Sequence, residues 1–328
     1  MQFKKVYLLL LLFLSQFSFS QEGIAIYSDY LSDNLYLIHP SMAGAANCAK
    51  VRLTARKQWF GNDNAPGLQT ASFNGRIGDK SGAGIILFND ENGFHSQKGI
   101  KATYAHHIMF SRSDVDLNQL SFGISAGMVQ SQLDQSEFVG FDPIVDGAIQ
   151  KDAYFNMDIG ASYNYLEFFT HFTVKNVLAS KRDIYTKAES DNLRKYIWSA
   201  GYVFGDSETL QWEPSFLFQL TDETQEKLID LNIKLYKDFD FGKLWGGVSY
   251  RRSFDATQYL DKGNVETQSL QYITPIVGLN FKNLVVAYTY SHLIGDIKFD
   301  QGGFHQITLG FNLFCKRDKW DCNCPAIN

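Results

Sequence analysis

The sequence is short of proline and of charge. Six prolines in 328 residues exclude a Pro-rich linker protein. Charged residues make up 20% and the net charge is −5, so no basic footprint for nucleic acid exists. Long apolar runs are missing beyond the N-terminus. From residue 21 onward the longest stretch free of Asp, Glu, Lys and Arg is Leu117–Leu133, and it is rich in Asn, Gln, Ser and Gly. With a mean hydropathy of −0.20, this excludes a helical membrane bundle. Disorder is excluded too, because 45% of residues are hydrophobic and 15% aromatic. What is present is 27 Phe, 17 Tyr and 26 Gly. That mixture leaves a globular all-β protein or a membrane β-barrel, and suits the barrel better.

The first twenty residues read as a secretory signal peptide. Lys4 and Lys5 form the basic start, Val6 to Phe19 the apolar core, and Ser18-Phe19-Ser20 the small-residue cut. Cleavage between Ser20 and Gln21 is expected. No cysteine lies near the cut, so the signal is not of the lipoprotein kind. Without a later apolar helix, any membrane span must be built of strands, because lipid tolerates only helices and closed barrels.

Alternation with period two dominates the rest. In 227–235, Ile229, Leu231, Ile233 and Leu235 oppose Asp230, Asn232 and Lys234. The same pattern recurs at 119–128, 154–163 and 306–313. It predicts fourteen strands, at 51–60, 68–77, 82–90, 98–110, 116–133, 153–165, 168–175, 194–205, 209–220, 225–236, 241–253, 268–281, 284–293 and 303–314. Fourteen is even, as bacterial outer-membrane barrels require. The gaps at 78–81, 111–115, 166–167, 206–208, 237–240 and 282–283 are short. Those at 61–67, 91–97, 134–152, 176–193, 254–267 and 294–302 are mostly longer, and only 221–224 breaks the rule. Short turns alternating with long loops are expected of an outer-membrane barrel with both termini in the periplasm.

Aromatics such as Trp59, Tyr104, Trp198, Trp212 and Tyr288 fall where interfacial girdles would draw on them. The opposite strand faces carry Arg52, Arg56, Gln58, Lys101, Asp158, Asp230, Lys234 and Arg251. Charges of both signs are costly in a dry core but acceptable in a lumen, so these residues are read as lumen-facing. The expected organisation is therefore a signal peptide at 1–20, an N-terminal segment at 21–50, a barrel at 51–314 and a Cys-containing periplasmic tail at 315–328. The segment is read as a short helix or irregular stretch tucked into the lumen.

Chemistry is sparse. Seven histidines form no compact ligand pattern, and His106-His107 point to opposite strand faces. No G-x-S-x-G is present, nor S-x-x-K with its companions. Gly75-Arg76-Ile77-Gly78 precedes no helix, so a phosphate loop fails. The chain is read as a non-enzyme without metal or cofactor. Of four cysteines, Cys48 precedes strand one and Cys315 follows strand fourteen. These strands are neighbours in a closed barrel, and the envelope is oxidising, so a Cys48–Cys315 bridge is expected. Cys322 and Cys324 would pair with each other or with another protein. A zinc knuckle in the tail is the other reading.

Several segments resemble the PorP/SprF family. His39-Pro40-Ser41-Met42-Ala43-Gly44 resembles its N-P-x-x-x-G opening, with His for Asn. Ala55-Arg56-Lys57-Gln58-Trp59 resembles its Y-R-x-Q-W strand, with Ala for Tyr. Gly82-Ala83-Gly84 with Asn89-Asp90 and Gly93 is similar to its G-x-G…N-D…G hairpin. Leu120-Ser121-Phe122-Gly123, Asn156-Met157-Asp158-Ile159-Gly160, Ala287-Tyr288-Thr289-Tyr290 and Gly303-Phe304-His305-Gln306-Ile307 follow in the family's order. The resemblance implies an outer-membrane component of the Bacteroidetes type IX secretion system. Such proteins assist secretion and surface attachment of adhesin-like cargo, often of gliding bacteria, through a C-terminal sorting domain. The implied partners are that cargo domain, other secretion components and outer-membrane lipid. Candidate docking loops are 134–152, 176–193 and 254–267, with Phe138, Phe141, Ile144, Val145 and Tyr185 as apolar anchors. The rival readings are a transporter or porin for small or hydrophobic solutes, and an outer-membrane enzyme.

Overall fold

The computed structural model describes residues 31, 33–58, 65–111, 116–136, 149–182, 184, 190–206, 209–261, 264–295, 303–315 and 326. Fifteen strand segments form one antiparallel sheet. In chain order they begin with β1 (Ala49–Lys57), β2 (Gly67–Arg76), β3 (Ser81–Asn92), β4 (His95–Met109) and β5 (Asn118–Asp134). Next come β6 (Ile149–Tyr165), β7 (Phe168–Lys175), β8 (Lys195–Tyr202), β9 (Phe204–Asp206) and β10 (Leu210–Thr221). The last are β11 (Lys227–Phe239), β12 (Gly242–Asp261), β13 (Asn264–Phe281), β14 (Leu284–Ile294) and β15 (Phe304–Leu313). Each pairs with its sequence neighbours, except that β8 and β9 both pair with β10, and β1 pairs with both β2 and β15. The sheet therefore closes on itself and has no edge strand to protect.

Two of the fifteen segments are one wall strand. β8 meets β10 with Ser215 opposite Gly201, and β9 meets it with Trp212 opposite Phe204, in the same register. The break falls opposite Pro214, which has no N–H to give a ladder. On the other side of the strand, Val203 N–H donates to the Glu167 carbonyl and continues the β7 register. The predicted fourteen-strand, all-β barrel is thus the observed fold.

The hydrophobic pattern is inverted relative to a water-soluble protein. Leu53, Phe73, Leu87, Ile124, Leu231 and Leu309 point outward and are exposed. Their strand neighbours Arg52, Thr54, Ser72, Ser125, Asp230 and Thr308 are buried inside. A side-chain period of two makes this sorting automatic once one face is set. An apolar exterior around a polar interior is the outer-membrane barrel arrangement. No described helix is long and apolar enough to cross a membrane.

Two expectations from the sequence need correction. The gap 254–267 is not a long loop: β12 and β13 run on to Asp261 and Asn264 with paired residues across most of that stretch. The register shifts once, between Arg252 and Ala256. The gap 91–97 likewise shrinks to a Gly93-Phe94 turn, where Gly93 takes a φ of 61°. In both hairpins the outermost stretches of sequence lack a clean period-two alternation. Backbone pairing alone sustains such a ribbon, and backbone pairing leaves no trace in hydropathy.

A candidate functional site inside the barrel

The lumen is filled from the end that carries β1's start and β15's finish. Residues 33–48 enter there and make two single turns of 3-10 helix, Leu35–Leu37 and Pro40–Met42. Pro40 suits a first turn because its missing N–H has no intrahelical partner anyway. Tyr36, Leu37, His39, Ser41, Met42 and Ala43 are all buried. The expected lumenal segment is therefore a plug, and its chain is irregular because it pairs with no strand.

The wall makes room for the plug with glycine. A Cβ at Gly82 would overlap the Ala43 carbonyl oxygen, and one at Gly123 would overlap the Pro40–Ser41 peptide. Gly84 receives the Tyr36 ring in the same way, and a Cβ at Gly160 would press on Thr173 Oγ1 and the Pro40 ring. These glycines lie on β3, β5 and β6. They belong to the sequence segments that resembled one family, as do Pro40 and Ala43. Those separated motifs are thus two sides of one contact.

Polar bonds complete the seat. Tyr36 donates its phenol proton to Thr103 Oγ1 at 2.7 Å. Ser41 and Ser162 hydroxyls meet at 2.5 Å. Asn34 Nδ2 donates to Ser72 Oγ at 3.1 Å, and Lys175 Nζ donates to the Leu37 carbonyl at 2.9 Å. His39 places Nδ1 at 2.8 Å from Thr173 Oγ1 and Nε2 at 3.0 Å from Ser199 Oγ. Its ring lies 4.9 Å from that of His171. Burial, with smaller contributions from His171 and Lys175, holds the His39 pKa well below the usual imidazole range. A serine beside a histidine invites a hydrolase reading. Here, however, the second imidazole nitrogen faces a threonine hydroxyl, where a triad has a carboxylate. Among the described residues no group of three His, Cys, Asp or Glu could hold a metal.

Ion pairs line the rest of the lumen. Arg251 Nε and Nη2 both reach the Asp230 carboxylate at 2.6 Å. Lys101 meets Asp158 at 2.6 Å and Lys234 meets Glu213 at 3.0 Å. Asp33, at the plug's start, accepts from Lys50 at 3.2 Å and from Arg52 at 3.3 Å. The Arg56 guanidinium stacks 4.2 Å from the Phe304 ring centroid. Gln58 is buried just past the end of β1, its N–H donating to the Pro66 carbonyl. Arg52, Arg56, Gln58, Asp158, Asp230, Lys234 and Arg251 thus all lie on the inner side. Sequence reasoning quoted His39 and Ser41 only within the family-like opening, and did not single out Tyr36 or the wall partners Thr103, Ser162, Thr173 and Ser199. The available signal was the crowding of small residues after Pro40, matched by glycines on β3, β5 and β6.

At the same end, Cys48 and Cys315 are bonded at 2.03 Å. The link joins the plug's exit to the last wall strand. Ser20 and Gln21 lie outside the described residues, as do Phe138, Phe141, Ile144, Val145 and Tyr185.

The sequence matches the family described as Type IX secretion system membrane protein PorP/SprF over residues 19–311. No curated protein shows significant similarity to the chain. Among solved structures, the chain is similar to the TodX monoaromatic hydrocarbon channel (a deltaS2 mutant). That match has 9% identity and a TM-score of 0.50, covering 85% of this chain and 92% of that one. A Pseudomonas aeruginosa FadL homologue gives 10% identity and a TM-score of 0.49, covering 85% and 90%. At such identities the likeness concerns the fold alone.

Proposed function

Because the chain belongs to the PorP/SprF family of type IX secretion system membrane proteins, we propose that it is a non-enzymatic attachment barrel. It assists secretion and surface retention of adhesin-like cargo carrying a C-terminal sorting domain. The observation that carries this reading is the filled lumen. The buried plug and the ion pairs on the wall occupy the interior of a fourteen-strand barrel, which is narrow to begin with. A folded adhesin has no way through, so the cargo is held by the barrel and does not traverse it.

In this reading both termini face the periplasm, the mature chain starts at Gln21, and the connections 135–148 and 176–194 face outward. Phe138, Phe141, Ile144, Val145 and Tyr185 are the proposed anchors for the cargo domain. The connection between β12 and β13 is withdrawn from the docking loops, since it is a strand ribbon. Surface proteomics of a deletion strain tests the role. One class of cargo with a C-terminal sorting domain disappears from the surface while other outer-membrane proteins remain. Unchanged surface display of all cargo defeats the proposal. Co-purification of cargo with variants lacking 135–148 then tests the docking loop.

A second reading, passage of small hydrophobic solutes, takes its support from the barrel's likeness to TodX. It predicts solute flux into liposomes and normal cargo display in the deletion strain. An N-terminal plug would serve either reading, and the family match favours the first.

A further inference from the structure

We propose that the outer wall carries a seat for one acyl chain of a membrane phospholipid, independent of the plug and of cargo. The register aligns Ala161 with Phe172, Phe172 with Trp198, and Trp198 with Phe218, across β6, β7, β8 and β10. Phe172 and Trp198 are about half exposed on the outward face. Ala161 and Thr170 are small, and the rings around them are not. The result is a recess of about 480 Å³ in the outer wall. That volume falls in the range of small-molecule sites.

The recess is prepared for an apolar occupant. Trp198 Nε1 donates to Thr170 Oγ1 at 3.1 Å, and Thr170 Oγ1 donates to the Ser199 carbonyl at 3.1 Å. Tyr163 donates its phenol proton to Asn118 Oδ1 at 3.1 Å. These polar groups of the lining are therefore engaged within the wall, and a polar ligand would find little to bond. The indole is also fixed, meeting Phe216 edge-on at 4.9 Å. Its surroundings identify the occupant. The recess is continuous with the apolar exterior of the barrel, and the medium against that exterior is acyl chain. A chain lying on a convex wall touches protein on one side. In the recess it touches aromatic rings on several sides, and dispersion contacts add up.

The test uses the full chain purified from membranes in mild detergent and weighed by native mass spectrometry. Wild type is expected to retain about one phospholipid per chain. Ala161→Phe fills the recess and should lower retention at least roughly fivefold, equivalent to about 1 kcal/mol at 25 °C. Leu309→Phe, exposed on β15 across the barrel, should leave retention unchanged. Equal retention in wild type and A161F, or none in wild type, overturns the proposal. So does a wild-type dimer that A161F dissociates with no phospholipid bound, which would make a second copy the occupant. A161F is first checked for a heat-dependent gel shift. Should it not fold, wild type is loaded with bromo-acyl phospholipid and then exchanged into unlabelled lipid. A quenched fraction of tryptophan fluorescence that persists, and that W198F lacks, supports the seat. Complete recovery of fluorescence overturns it.

Discussion

Gly82 and Gly123 matter for the side chains they lack. Each faces plug backbone so closely that a single Cβ would collide with it. Gly82→Leu is therefore expected to lift the plug, at a cost of about 1–3 kcal/mol of overpacking. Residues 33–48 should become open to proteinase K in detergent while the barrel keeps its heat-dependent gel shift. A protected plug in G82L would show that the contact is soft. The charged residues behave differently. Asp230 and Arg251 are both buried and face each other with two bonds of 2.6 Å. Arg251→Met leaves a carboxylate short of its strongest partner and should cost about 3–5 kcal/mol. The double variant D230L/R251M should recover most of that loss in urea unfolding, because the expense lies in the unmatched charge. Losses that merely add would instead mean the two charges act independently of each other.

The plug and the β1–β15 seam meet at one link. Cys48 and Cys315 are 267 residues apart in sequence, yet they join where the plug leaves the lumen. Constraining so long a loop in the unfolded chain is worth about 2–4 kcal/mol. Dithiothreitol should therefore lower the unfolding midpoint of the wild type and leave Cys48→Ser unmoved. Identical curves with and without reductant would mean the thiols are free. Elements also show where sequence reading fell short. The β12–β13 ribbon extends past its neighbours, so its outer residues need no apolar face and carry no period-two signal. The interruption after Tyr202 follows from Pro214 opposite it on the facing strand, a neighbour only the register reveals. Where strands cross the apolar belt, as at 227–235, alternation gave them away, because lipid and lumen demand opposite side chains.

For the whole molecule, the plug decides what can pass. Deleting residues 31–46 should raise conductance in planar bilayers well above that of the wild type, which should be nearly closed. The deletion spares Cys48, so the seam link can still form. A wild type that conducts freely would favour solute passage over cargo attachment.

The sequence by itself determined the wall. Each strand residue has only two faces to choose from, and the choice is written in its polarity. Composition, strand number and the sorting of charged from apolar residues were all legible from that rule. Only the tertiary structure decided what the lumen holds. Plug residues bond to side chains up to 160 positions away, as His39 does with Ser199. No local period records such distances. The glycines that receive the plug look like ordinary turn and strand glycines until the chain is closed around them. The Asp230–Arg251 and Glu213–Lys234 pairs are set side by side only by the register of adjacent strands. Barrel closure, which sets β1 beside β15, brings Cys48 to Cys315 and completes the site.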